Sequence, residues 1–577
     1  MTEGPLPWER PLGALPEADG HTTLRVWAPR AREAAVVLAG GEVRLEAAGL
    51  GVFEGRARAG AGDDYRYRLD GGDPLPDPCS RSQPEGVRGP SRVVDPAALA
   101  WDEGGWAGLD RRGLVLYELH VGTFTPEGTF AAAARRLPEL AELGVTAIEL
   151  LPVATFPGER NWGYDGLYAW APHPAYGGPE GLAGLVATAH RAGVGVILDV
   201  VYNHLGPGSE ALEAFGPYLT DRYGTPWGPA MNFDDRDSGG VREWAIQNAC
   251  MWLRDYRIDG LRVDAVHAIL DQGARHLMAE LCERAAAAAS RVPLLIAESD
   301  LNDPKVIRPR QTGGWGFDAQ WADDFHHALH ALLTGERDGY YADFGSVGHL
   351  AAATRRAFVY DGRYSAFRRR RHGARADDRP ARQFVVYSQN HDQVGNRALG
   401  DRPPARVRPL AALWVLMSPF VPMLFMGEEY GEARPFQFFT DHIDPFIADA
   451  TREGRRREFA EFVGFDEEVP DPQDPATAVR STLAPDEGDD GVRDLYRRLL
   501  ALRATLPDAA AAVGWHPDRG WITVDYGAVL VAGNFGDDEA RVPGMGERGE
   551  VVLATDPDAR LEGGALQLPG ISGAVVR

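Results

Sequence analysis

Cysteine is nearly absent: Cys79, Cys250 and Cys282 are all that 577 residues hold, and they lie far apart. So sparse and odd a set excludes a disulfide framework and a cysteine zinc site, and fits a reducing, cytoplasmic compartment. Lysine is rarer still. Lys305 is the only one, so almost all of the 60 basic residues are arginine, which reads as codon bias rather than function. Positive charge is short as a whole, with 84 acidic residues and a formal net charge of −24. A chain of that sign is not expected to bind nucleic acid or an anionic membrane, whereas a neutral substrate feels no repulsion. Apolar runs are short too. None approaches the roughly 18 residues of a membrane-spanning helix, and the opening "MTEGPLPWERPLG" lacks a charged-then-apolar leader pattern.

The chain is too long for one compact core, and its grammar changes twice. Residues 1–105 read as short strands of two-residue period, such as "TTLRVWAPRA" and "DDYRYRLDG", which predicts a β-sandwich. A Pro/Gly-rich stretch, 71–113, leads into the next unit. From 106 to 510 the pattern is strand, loop, helix, repeated. Eight apolar β-like runs fall at 114–120, 145–152, 194–204, 260–266, 293–299, 316–321, 383–392 and 421–429. Helical segments lie between most of them, for example 129–143, 179–192, 240–256 and 271–289. Eight β–α units in series predict an α/β fold, a (β/α)8 TIM barrel, closed by a helix near 491–504. Residues 511–577 return to short strands, a small C-terminal β domain. Two excursions interrupt the barrel, 205–239 and 322–382. The second contains "RRRR" (368–371), read as a solvated loop.

"DGLRVDAVHAI" (259–269) is a core strand with charges inside it. Residues two apart in a strand face the same way, so Arg262 and Asp264 share a face. A buried charge is costly unless paired. In barrels of this kind the chemistry sits at the C-terminal ends of the strands. The polar residues there are Asp199, Asn203 and His204; Arg262, Asp264 and His267; Glu298 and Ser299; Asn390, His391 and Asp392; and Glu428 and Glu429. Three acids alone mean little among 84, and an internal ion-pair network is the competing reading for Arg262 with Asp264. Asp264, Glu298 and Asp392 each interrupt or cap an apolar run, which favours a site. Paired carboxylates suit glycosidic bond cleavage, where one must be protonated and the other ionised. Arg262 would hold Asp264 ionised, and the apolar "LLIA" before Glu298 would raise its pKa and keep its proton.

At these residues the chain resembles the α-amylase superfamily of retaining glycoside hydrolases. "DVVYNH" (199–204), "GLRVDAV" (260–266), "IAES" (296–299) and "NHD" (390–392) are similar to its four signature segments, in order. The resemblance implies that Asp264 is the nucleophile, Glu298 the general acid and then base, and Asp392 a transition-state stabiliser. It implies that Arg262 orients Asp264, that His204 and His391 hydrogen-bond the cleaved sugar, and that Tyr164 stacks on it. Retention implies carboxyl groups ~5–5.5 Å apart. Longer strings, "NWGYDG" (161–166), "DAVHAI" (264–269), "IAESDLNDP" (296–304), "WGFDAQWADDFHHALH" (315–330) and "QNHDQVGNR" (389–397), resemble one branch of that superfamily. That branch hydrolyses the α-1,4 bond next to the trehalose end of trehalose-capped malto-oligosaccharides.

Within the 315–330 string, Asp323, Asp324, Phe325 and His326 are expected along the trehalose end of the cleft, with a structural role equally open for the histidines. Trp162 and Trp321 are picked as sugar platforms. Many α-amylases carry Lys-His after the nucleophile segment; this chain has His267-Ala268, which fits a different sugar beyond the cleaved bond. Asn203 matches a family calcium ligand, but no further ligands are identifiable, so neither metal nor cofactor is expected. Two other readings stay open: a 1,4-α-glucan branching enzyme, and a non-catalytic α-glucan-binding protein. Oligomeric state is not legible.

Overall fold

Eight short apolar runs pair in parallel, each with its successor, until the eighth meets the first. In the computed structural model, which describes residues 5–226, 228–460, 469–507 and 512–577, they are β1 (Leu116–Leu119), β2 (Ala147–Leu150), β3 (Gly195–Val200), β4 (Gly260–Val263), β5 (Leu294–Ala297), β6 (Ala319–Trp321), β7 (Phe384–Val386) and β8 (Val421–Phe425). This is the closed α/β barrel that the pattern predicts. The expected runs overshoot the hydrogen-bonded strands at their C-terminal ends, 194–204 against Gly195–Val200 for example. Those last residues leave the sheet to build the site.

The longer helices are α1 (Phe130–Leu143), α2 (Gly178–Arg191), α3 (Ser238–Asp255), α4 (Leu277–Ala288), α5 (Asp323–Thr334), α6 (Val347–Arg356), α7 (Arg408–Leu416), α8 (Pro445–Ala460) and α9 (Asp490–Arg503). α1 shows why they form. The Thr129 side chain accepts the amide of Ala132 at the start, and Gly144, at φ 108°, ends the helix in a conformation that other residues resist. Phe130, Ala133, Leu137 and Leu140 recur at helical spacing and are buried.

The two-residue period sorts each strand. Leu116, Ala147, Ile197, Ile296, Ala319, Val385 and Met423 meet inside the barrel, while Leu150, Leu198, Leu261 and Val263 pack in the larger outer core. Two positions further along β1 to β3, the inner face turns polar with Glu118, Glu149 and Asp199, and Arg262 stands beside Asp199 in register.

The first excursion carries a hairpin, Leu219–Thr225 with Gly228–Met231. The second holds α5, α6 and a hairpin, Asp361–Ser365 with Arg370–Gly373. Of the four arginines read as a solvated loop, Arg369, Arg370 and Arg371 are exposed. Arg368 is not. It turns inward and donates to Asp300, Nη1 to Oδ2 at 2.7 Å.

Before the barrel lie two four-stranded sheets, the last strand of which is Ser91–Arg92. Leu24, Val36, Tyr65 and Tyr67 are buried among them. After the barrel, a five-stranded and a three-stranded sheet close on Leu530, Val542, Leu566 and Val576. The boundary expected at 510/511 falls on residues 508–511, outside the described residues. No helix among the described residues is long and apolar enough to cross a membrane.

Candidate active site

Arg262 organises the site. It is fully buried on β4, and its guanidinium reaches three carboxylates: Asp199 at 2.5 Å, Asp264 at 2.9 Å and Glu298 at 3.2 Å. The ring of Trp321 lies beneath it, 4.3 Å from ring centre to guanidinium carbon. A cation in that position is stabilised by the ring face below and the anions above. Trp321 therefore supports Arg262 and does not meet the sugar. The expectation that it serves as a platform fails, because β6 aims its last residue into the closed barrel.

Asp264 follows β4 directly. Its Oδ1 accepts from Arg262 and its Oδ2 from Asn203 Nδ2 at 3.1 Å. Asn203 also lies 3.0 Å from the Nδ1 of His204, so its amide belongs to this network. Among the described residues, no cluster of three or more His, Cys, Asp or Glu is arranged to hold a metal. The next residue, Ala265, has φ 44°. A left-handed alanine is strained, by about 1–3 kcal/mol. Here the twist turns the chain sharply off the strand and aims the Ala265 amide at Glu298, Oε2 at 2.7 Å.

The two carboxyls differ in acidity. Burial pushes Glu298 up to about 7, with Arg262 opposing and Asp264 and Asp392 adding to the rise. Burial pushes Asp264 up to about 6, against the pull of Arg262. Arg262 thus does not hold Asp264 in the ordinary carboxylate range, as the sequence suggests it would. Desolvation outweighs the ion pair. The order survives: Asp264 ionises first and Glu298 keeps its proton longer.

Asp392 sits in a short helical turn, His391–Gly395, after β7. His391 beside it is gripped by Glu118, whose carboxylate takes both the ring Nδ1 at 2.7 Å and the backbone amide at 2.8 Å. Burial disfavours a charge on His391, but Asp392 and Glu118 outweigh it and push its pKa up to about 9. The hydroxyl of Tyr164 lies 2.8 Å from His391 Nε2 and donates to Asp199 at 2.6 Å. The two rings stack, 5.1 Å apart. His204 stands across from them, with Nε2 2.9 Å from the Tyr164 carbonyl.

These groups open onto a cavity of about 690 Å³. Asp264, Glu298, Asp392, His204, His391, Tyr164, Trp162, His267 and Asp323 all line it, so nine of the expected residues come together there. Arg262 lies just beneath. Asp324, Phe325 and His326 do not reach it. Asp324 accepts from Asn302 and from the amides of Val359 and Tyr360, tying the second excursion together. Phe325 is core, and His326 is bonded to the Ser388 carbonyl and Tyr341. α5 explains the correction: of the four residues expected from this string only Asp323 lines the cavity, and His327 joins it, because residues four apart share one helix face. That spacing was available in the sequence. Asp300, which lies in the quoted string 296–304 but was not singled out, pairs with Arg368 on the wall, and Phe367, from the second excursion, and Thr451, Arg455 and Glu458, from α8, had no local signal. Glu428 and Glu429 are rim structure, bonded to Ser388 and Tyr117.

Residues 76–217 match the family model described as "Alpha amylase, catalytic domain". A solved structure titled as a putative α-amylase from Salmonella typhimurium superposes with a TM-score of 0.90, at 38% identity, covering 98% of this chain and 99% of that one. Barrel, acids and match together define a glycoside hydrolase of the α-amylase family. Two relatives go further. The malto-oligosyltrehalose trehalohydrolase of Rhizobium sp. (strain M-11) is 47% identical, over 98% of this chain and all of that protein. The one from Saccharolobus solfataricus is 45% identical over 84% of this chain and 86% of that protein. The chain belongs to the malto-oligosyltrehalose trehalohydrolase family.

Proposed function

We propose that this chain is a retaining glycosidase that hydrolyses the α-1,4 bond next to the trehalose end of a malto-oligosaccharide, releasing trehalose. The observation that carries the reading is the joining of Asp264 and Glu298 by one buried guanidinium, at the floor of a cavity, with the more acidic group placed to attack. Asp264 attacks the anomeric carbon while Glu298 gives its proton to the leaving glycosidic oxygen. Glu298, now ionised, takes a proton from water. The water oxygen bonds to the anomeric carbon, and the ester to Asp264 breaks. The anomeric configuration is kept. Asp392 holds hydroxyls of the cleaved sugar, and the positive charge on His391 steadies Asp392. Asp323 and His327, which reach the cavity from the most specific string, stand at the trehalose end. The three cysteines are buried and unpaired, which fits the cytoplasm. The chain itself supplies the acid, base and nucleophile this reaction uses.

The test compares products. Maltopentaosyl trehalose should yield free trehalose rapidly, and plain maltohexaose should be cleaved far more slowly. Branched α-1,6 products from amylose, without trehalose from the capped chain, would overturn the reading in favour of a branching enzyme.

The acidities predict the pH profile. Asp264 must be ionised and Glu298 protonated, so kcat/KM should rise as pH passes about 6 and fall as it passes about 7. E298Q should lose the alkaline limb; an alkaline limb that persists in that variant would assign the proton elsewhere.

A further inference from the structure

Of the three acids Asp264, Glu298 and Asp392, the last is the least braced. Its side chain is 36% exposed, and its partners are Asn396 Nδ2 at 3.1 Å and the ring of His391 at 3.4 Å, both within its own turn. Where its carboxylate points is therefore set by the backbone of residues 391–397. Glu118 fixes the start of that turn through the His391 amide, and its end is held from two sides. On one side Gly395 lies directly on Trp162: a Cβ there would come within 2.1 Å of the indole. On the other side stands Arg455, sixty residues away in sequence, on α8. Its Nη2 donates to the carbonyls of Gly395, at 2.9 Å, and of Arg397, at 3.2 Å.

Those carbonyls close the end of a short helical turn, where acceptors have no partner within the helix. The same guanidinium packs over Phe459 and Phe438, at 4.5 and 5.4 Å from the ring centres, and pairs with Glu458 through Nη1 at 2.9 Å. Burial lowers the pKa of Arg455, against Glu458, so desolvating it has a cost that the packing and bonds offset.

We propose that Arg455 is a positioning residue for the hydrolysis: it clasps the turn that presents Asp392 and so sets the aim of that carboxylate. This rests on the reading of Asp392 as the group that holds the cleaved sugar. It also gives α8, which lies outside every signature segment, a part in the reaction besides walling the cavity.

The test is a double-mutant cycle on the full-length enzyme with maltopentaosyl trehalose. R455A should lower kcat roughly 10- to 100-fold, the scale of a misplacement near 1 Å, with KM little changed. D392N should lower kcat more. The double variant should be no worse than D392N alone, because the clasp has nothing left to aim. Methylguanidinium, which can enter the cavity that Arg455 lines, should restore part of the activity of R455A and none of D392N. Should R455A fail to fold, R455K carries the same cycle, since it keeps the charge and most of the stem. An R455A enzyme at the wild-type rate, or one whose loss multiplies fully with that of D392N, overturns the positioning role alone. A D392N enzyme at the wild-type rate removes the reading beneath it.

Discussion

D264N should turn over at least roughly 10⁴-fold more slowly than the native enzyme, the scale of losing a covalent nucleophile. The amide keeps the shape of the side chain and can still accept from Arg262, so the barrel should fold. It cannot form a stable ester with the anomeric carbon. Its NH2 would also face the Nδ2 of Asn203, which donates to Oδ2 in the native site. Two opposed donors should lower stability by about 1 kcal/mol. The check is kcat on the capped chain, with intact-protein mass spectrometry after exposure to a slowly hydrolysed maltosyl fluoride. The native enzyme should gain the mass of a glycosyl unit and D264N should not. An adduct on D264N, or turnover within tenfold of native, would place the nucleophile elsewhere.

R262M should be the most damaging single change to stability at the site, at about 3–5 kcal/mol, the scale for breaking a buried ion pair by removing one partner. Asp199, Asp264 and Glu298 all lose the guanidinium that they share. The loss should depend on pH, with a definite sign. Asp264 at about 6 and Glu298 at about 7 lie above their ordinary values. Their contribution to stability is then full below the unfolded values, near pH 4, and is lost as pH rises through 6 and 7. Removing Arg262 takes away the pull that lowers them, so both rise further. The deficit of R262M in thermal midpoint should be larger at pH 8 than at pH 5. An equal deficit at both would mean that Arg262 acts by packing on Trp321, not by charge.

Much of this site was legible because a strand writes its two faces alternately into the sequence. An Arg and an Asp two apart in an apolar run cannot both turn to solvent, and they do not: Arg262 and Asp264 meet as an ion pair at the barrel mouth. The strand ends that carry Glu298, His391 and Asp392 were legible for the same reason. What misled was the helix. "WADDFHHALH" marks a place in the chain, but only one of its faces meets the cavity, and Asp324, Phe325 and His326 lie on the others. Trp321 misled because an aromatic ring serves equally well as a sugar platform and as the floor under a guanidinium. Glu118, which fixes His391 from the first strand, carried no signal of its own: "LVLYELH" reads as core, and its partner lies 273 residues away.

That span bears on how the enzyme comes into being. β8 must pair with β1 before the ring closes, and Tyr117 must find Glu429, 312 residues downstream. At roughly 5–20 residues per second of synthesis, the first strand waits about 15–60 s for its partner. During that time the growing barrel is an open sheet with two unpaired edges, a template for association with other chains. Glu118 and Glu149 occupy the face that will become the barrel interior, and like-charged carboxylates there discourage early collapse or mispairing. Glu118, which later fixes His391, thus stands, while the chain is being made, where an unfinished barrel is most exposed to error.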